Sequence, residues 1–279
     1  MRLKPYNFTD YKGIAFTFGF PVPRAFAAMI SGLYEFSRGD ARKVFEMFER
    51  LTHLMLDGAN ARYQQTPPEL FPIASLGVDG VHYGYVLHAP EIESADYPIA
   101  QFAPMDRAGI TLVGQSTAEA LENIIGDTVE AEQDEWQRQE LERLSQMLGL
   151  RPAVDRTKKR QGIDDYARPV EPSVPPDWAY VPTSDGAGVL APSDRFAALP
   201  IEPIAPYAKA DSYLHEADHA MAQGHPAAAL YYLREGYWYH WTDHQVARRF
   251  SYRLATTYEE LKRPLLAEVC AWRVKHYFS

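Results

Sequence analysis

The stretch Leu76-Gly77-Val78-Asp79-Gly80-Val81-His82-Tyr83-Gly84-Tyr85-Val86-Leu87-His88 decides the fold. Alternation places Val81, Tyr83, Tyr85 and Leu87 on one face and His82, Gly84, Val86 and His88 on the other, the period of two expected of a half-buried strand. Asp79-Gly80 supplies the positive φ that a tight hairpin needs, which makes residues 72–76 the expected antiparallel partner. Two more strands are expected over residues 98–103 and 110–114, giving a three- to four-stranded antiparallel sheet.

Working outward, residues 1–19 show no clear period and read as an irregular arm or one short strand over 14–18. From Pro21 the spacing turns helical, with Val22, Phe26, Met29, Ile30 and Leu33 recurring at three and four. Asp40 is an expected N-cap, and the helix behind it carries Val44, Phe45, Phe48, Leu51, Leu54 and Met55 on one stripe. Downstream of the sheet, Ser116 and Glu119 have capping-box spacing, with Leu121, Ile124 and Ile125 on the helix that follows. Gly126 is expected to end that helix. A second one over 127–148 would place Val129, Trp136, Leu141, Leu144 and Met147 inward. The class implied is α+β, with helices packed on one face of an antiparallel sheet.

The order Pro67-Pro68-Glu69, apolar strand, Asp79-Gly80-Val81-His82-Tyr83-Gly84, Pro98-Ile99, Pro104-Met105-Asp106 and closing helix resembles the SUKH superfamily. That family includes bacterial toxin-immunity proteins and a fungal cell-wall regulator. The resemblance covers roughly the first half of the chain. It implies a scaffold that binds a protein partner and carries no active site.

Residues 1–150 are read as this α+β domain, 151–207 as a proline-rich linker with a basic patch at Arg156, Lys158, Lys159 and Arg160, and 208–279 as an all-α helical-hairpin module. Ala217, Ala220, Gly224, Ala229 and Leu233 have the spacing of a helix-turn-helix repeat, and Ala255, Tyr258, Lys262, Ala267 and Ala271 repeat it about 38 residues later. This resembles a degenerate tetratricopeptide pair, in which small residues let paired helices approach.

A net charge of −9 argues against nucleic acid as a direct ligand and favours a basic protein partner. One cysteine, Cys270, excludes an internal disulfide and suits a reducing compartment. No signal peptide or membrane span is legible, so a cytoplasmic protein is expected. Glu130, Asp134 and Glu135 belong to an acidic helix face, read either as solvated surface or as a docking site for a basic partner. In the block Tyr237-Trp238-Tyr239-His240-Trp241, Tyr237 and Tyr239 are expected to be exposed and available for binding or self-association. His215-Glu216-Ala217-Asp218-His219 fits H-E-x-x-H, so His215 and His219 could share zinc with Glu216 as general base. No third ligand follows from a familiar spacing. The alternatives are therefore a non-enzymatic interaction protein with no cofactor, a zinc-dependent hydrolase, and a homo-oligomer built on the aromatic block.

Overall fold

A computed structural model describes residues 7–57, 62–92, 94–106, 109–152 and 170–278. At its centre lies an antiparallel sheet in the order β1 (Met55–Leu56), β2 (Leu70–Ser75), β3 (His82–Val86), β4 (Ile99–Phe102) and β5 (Ile110–Gly114). Asp79 and Gly80, with φ of 51° and 70°, form the tip of the β2–β3 connection; Leu76 N donates to Val81 O, so the loop spans four residues, 77–80, rather than the expected tight pair, and Gly77 takes a positive φ of 74° as well. Gly84 is required by proximity, since a Cβ there would lie 2.4 Å from the Phe71 carbonyl oxygen. Strand β1 pairs Met55 with Ser75 and Leu56 with Ala74, and so adds an edge too short to show a period.

On the Tyr85 face lie α1 (Tyr11–Phe18), α2 (Arg24–Phe36), α3 (Ala41–Thr52), α4 (Thr117–Ala131) and α5 (Glu135–Met147). Phe20 meets Phe71 at 5.0 Å between ring centroids, and Phe26 meets Tyr85 edge-on at 5.7 Å. Helix α1 stands where an arm or strand is expected. Its Asp10 accepts a hydrogen bond from Gly13 N at 2.7 Å, Ile14 and Phe18 are buried one turn apart, and Gly19 closes it with φ of 79°. The expected caps form: Asp40 accepts from Arg42 N, and Ser116 Oγ accepts from Glu119 N while Glu119 Oε2 accepts from Gln115 N.

Gly126 does not end its helix; it is buried within α4, which continues to Ala131. The break falls at residues 132–134, where Asp134 caps a new helix. Val129 is buried as expected, but within α5 Trp136 stands well over ~100° around the axis from Leu141 and falls outside the buried face. Trp136 and Met147 are 68% and 55% exposed, whereas Leu141 and Leu144 are buried.

The opposite face of the sheet, which carries His82, Gly84, Val86 and His88, is covered as well. Leu70, Val86, Ala100, Phe102 and Ile110 pack against Val170 and Ala187, with Trp238 beside them. Part of this cover comes from the segment expected as linker: residues 170–207 contain the antiparallel pair β6 (Trp178–Val181) and β7 (Val189–Pro192). Pro182 and Pro192 frame these strands rather than interrupt them. Asp185, in the turn between them, accepts at Oδ1 from Thr183 Oγ1 and Ala187 N, and its carbonyl accepts from Ile110 N at the sheet edge. The basic patch at 156–160 lies outside the described residues.

The rest of the cover is all-α: α6 (Ala210–Ala222), α7 (Pro226–His240), α8 (His244–Glu260) and α9 (Pro264–Tyr277). The 38-residue period reappears as the same turn made twice. Gly224 and Lys262 have φ of 81° and 60°, His225 N and Arg263 N donate to Ala220 O and Tyr258 O, and Pro226 and Pro264 open the second helix of each hairpin. Among the described residues no helix is long and apolar enough to cross a membrane.

Candidate binding surface

Charged side chains meet where the helical array crosses the sheet. Arg234 Nη1 contacts Glu69 Oε1 at 2.5 Å, while its Nε and Nη2 donate to Asp185 Oδ2. Tyr258 donates its hydroxyl hydrogen to Glu69 Oε1. Nearby, Arg263 pairs with Glu91 at 2.8 Å and donates to Leu190 O. Arg62 donates to the carbonyls of Pro67 and Pro68, and Arg273 donates to Thr66 O. Burial raises the pKa of Glu69 despite the facing guanidinium. Arg234, with two carboxylates on it, is held protonated. Burial, with the charge of Arg273 added, lowers Arg62 to about 9.

Carboxylates, a phenol and guanidiniums in one place invite a catalytic reading, but the geometry closes it. The cavity bordered by Asp185, Arg234 and Arg273 measures about 10 Å³, roughly the room for one water molecule. Cys270 is fully buried, and burial pushes its thiol up to about 12, far from the thiolate a nucleophile needs. His82 and His88, which share one face of the β3 stretch, are 0% and 5% exposed, and burial lowers each to about 4. His82 donates from Nδ1 to Gly80 O at 2.8 Å, which leaves Nε2 to accept from Thr66 Oγ1 at 3.1 Å.

The residues singled out from sequence scatter over several surfaces. His215 and His219 are exposed on α6, and His219 Nε2 lies 3.0 Å from the Gln223 amide. Among the described residues no group of three or more His, Cys, Asp or Glu side chains is placed to hold a metal ion. Glu130, Asp134 and Glu135 are exposed, but Asp134 is spent as the cap of α5 and Glu135 pairs with Arg138 at 3.1 Å. Tyr237 is not exposed as expected. It is 5% accessible, donates to Gln64 O at 2.7 Å and lies 4.5 Å beneath the Arg273 guanidinium. Tyr239 is half-buried, its hydroxyl 2.8 Å from Ser184 Oγ and its ring 4.9 Å from Tyr207. The reason is common to both: α7 is the central helix of the array and is covered on nearly every side.

A different set converges. The β2–β3 and β4–β5 turns lie at the same end of the sheet, and β1 begins there. Met55, Tyr63, Leu76, Val78 and Met105 are 43%, 46%, 38%, 61% and 75% exposed at that end. Two glycines let the first pair lie flat on the hairpin, since a Cβ at Gly77 would meet Met55 Cε at 2.5 Å and one at Gly80 would meet the Tyr63 ring at 2.8 Å. From β1 to β4 is three strand spacings, about 15 Å. Asp79 and Asp106, both exposed, give this apolar end an acidic margin. Clustered exposed apolar side chains of this kind mark binding surfaces. Sequence reading places Asp79 and Asp106 in turns but misses their apolar neighbours, because only the antiparallel register brings the two turns together.

No protein-family model matches the chain, and no curated protein does.

Proposed function

We propose that this protein is a non-enzymatic binding protein of the SUKH kind, in which the apolar, acid-rimmed end of the sheet seats a basic protein partner. A toxin-immunity or regulatory scaffold role in the cytoplasm is the specific form of the proposal. The observation that carries it is a division of labour. Buried charges bind one another as struts between layers, while five exposed apolar side chains gather at one end of the sheet. Complementary charge would steer a basic partner toward a chain of net charge −9. The proline-framed β6–β7 pair and the helical hairpins, which resemble tetratricopeptide repeats, serve here as backing for the sheet.

The test is capture of the partner from the native host, followed by titration of the purified partner. A Val78→Ser, Met105→Ser double variant, which removes apolar area without adding acid that would favour a basic partner, is expected to lose at least tenfold in affinity, about 1.4 kcal/mol. Reversing Glu130 and Glu135 to Lys on α5 is expected to change affinity little. Unaltered affinity in the double variant, or a loss confined to the α5 variant, would remove the sheet end as the site.

A further inference from the structure

The sulfur that this protein offers to solvent is thioether sulfur. Its one cysteine, Cys270, is fully buried with the thiol held protonated, so an oxidant arriving from solution meets methionine first. Met29 is buried and Met47 half-buried, and Met221, half-buried too, has its sulfur approached by the Thr257 hydroxyl at 3.9 Å. Three of the described methionines are open to solvent: Met55, Met105 and Met147. Met147 ends α5, whereas Met55 and Met105 both belong to the apolar end of the sheet, one from the β1 edge and one from the β4–β5 turn. At 75%, Met105 is the most exposed large apolar side chain among the described residues. Met55 lies across the hairpin backbone, since a Cβ at Gly77 would stand 2.5 Å from its Cε and 3.4 Å from its Sδ.

Resting on the sheet end as the binding surface, we infer that Met55 and Met105 are reversible oxidation sites that turn that surface from apolar to polar and release its partner. The oxidant is hydrogen peroxide. A sulfur lone pair attacks one peroxide oxygen, the O–O bond breaks as the S–O bond forms, and the second oxygen leaves as water with the proton of the transferred hydroxyl. Sulfur is oxidised and peroxide is reduced, with nothing else consumed. The sulfoxide carries a strongly polar acceptor oxygen in place of a soft apolar sulfur. Apolar side chains of a partner seated on the thioethers have no donor to give that oxygen, so closing the interface strips its water without replacement. Both residues lie within one patch, so each oxidation subtracts from the same interface. Methionine sulfoxide reductases return each sulfoxide epimer to the thioether, which makes the change reversible.

The test exposes the full chain to graded hydrogen peroxide and follows each methionine by peptide mass spectrometry. Met55 and Met105 are expected to gain one oxygen roughly tenfold faster than Met29, with Met147 as an exposed reference away from the sheet end. Two probes then read the surface: the apolar dye bis-ANS by fluorescence, and the partner purified as above. The oxidised chain is expected to bind each several-fold more weakly, and treatment with methionine sulfoxide reductases A and B and dithiothreitol to restore both. A Met55→Leu, Met105→Leu chain, in which Met147 still oxidises, is expected to bind each probe equally before and after peroxide. Circular dichroism establishes that every form is folded. Oxidation of Met55 and Met105 no faster than that of Met29, or a loss of affinity in the leucine variant as large as in wild type, would overturn the inference. If the oxidised chain keeps its partner while the reduced Val78→Ser, Met105→Ser variant loses it, the switch falls and the surface stands. If that reduced variant keeps the partner, the surface itself falls and takes the switch with it.

Discussion

The ring of His88 is 5% exposed and lies edge-on to Tyr180 at 5.7 Å. Burial, with the charges of Arg234 and Arg263 adding to it, lowers its pKa from 6.5 to about 4, against the opposing pull of an Ala187 backbone hydrogen bond and Asp185. The folded pKa is therefore depressed: between pH 6.5 and 4 the unfolded chain takes up a proton that the folded chain refuses. Stability from this residue is fully present above pH 6.5 and is lost as pH falls toward 4, at up to ~1.4 kcal/mol per pH unit. In urea denaturation, the stability of a His88→Leu variant relative to wild type should be flat above pH 6.5 and should rise across that window as pH falls. A difference independent of pH from 7 to 4 would refute the assignment. Residues whose partners are local were legible in the sequence, as with Asp40, Ser116 and the Asp79-Gly80 turn. The buried charges were not, because Asp185 and Arg234 are 49 residues apart and Glu69 and Tyr258 are 189 apart, distances over which no spacing rule operates.

Helices were legible where one face is apolar and the other polar, as in α2 and α3, and β3 where its residue types alternate, although both of its faces are buried. The elements missed have physical reasons of their own. Helix α1 has only two turns, too short for a repeating stripe, although Asp10, Ile14, Phe18 and Gly19 mark its cap, its face and its stop. Helix α7 is covered around most of its circumference, so it shows little amphipathic period and its aromatic block reads as surplus. Gly236 shows how closely α7 is packed, since an added methyl would stand 2.4 Å from the Phe250 ring and 2.8 Å from Tyr213 Cβ. Alanine gains about 1 kcal/mol over glycine in helix propensity, but overpacking costs about 1–3 kcal/mol. A Gly236→Ala variant should therefore unfold at a lower urea midpoint, with a net loss of up to about 2 kcal/mol. A midpoint at or above wild type would show that α7 and α8 can separate without cost.

At the scale of the molecule, a division into sheet domain, linker and helical module describes the chain better than it describes the forces. Glu69 on the sheet answers to Arg234 and Tyr258 of the array, Gln64 and Thr66 accept from Tyr237 and Arg273, and Glu91 pairs with Arg263. Arg234 is 2% exposed and bridges the sheet, the β6–β7 turn and α7. Replacing it with methionine keeps much of the stem's packing but leaves Glu69 and Asp185 buried without their counter-charge, a loss of about 3–5 kcal/mol. If sheet and array unfold as one cooperative unit, that loss is shared by both. Native-state hydrogen exchange followed by mass spectrometry is the discriminating measurement. In Arg234→Met, the most protected amides of β2–β4 and of α7–α9 should lose protection by the same free energy. Protection lost in the helices while the strands keep their wild-type values would mean that the sheet unit stands alone and that the array is only docked upon it.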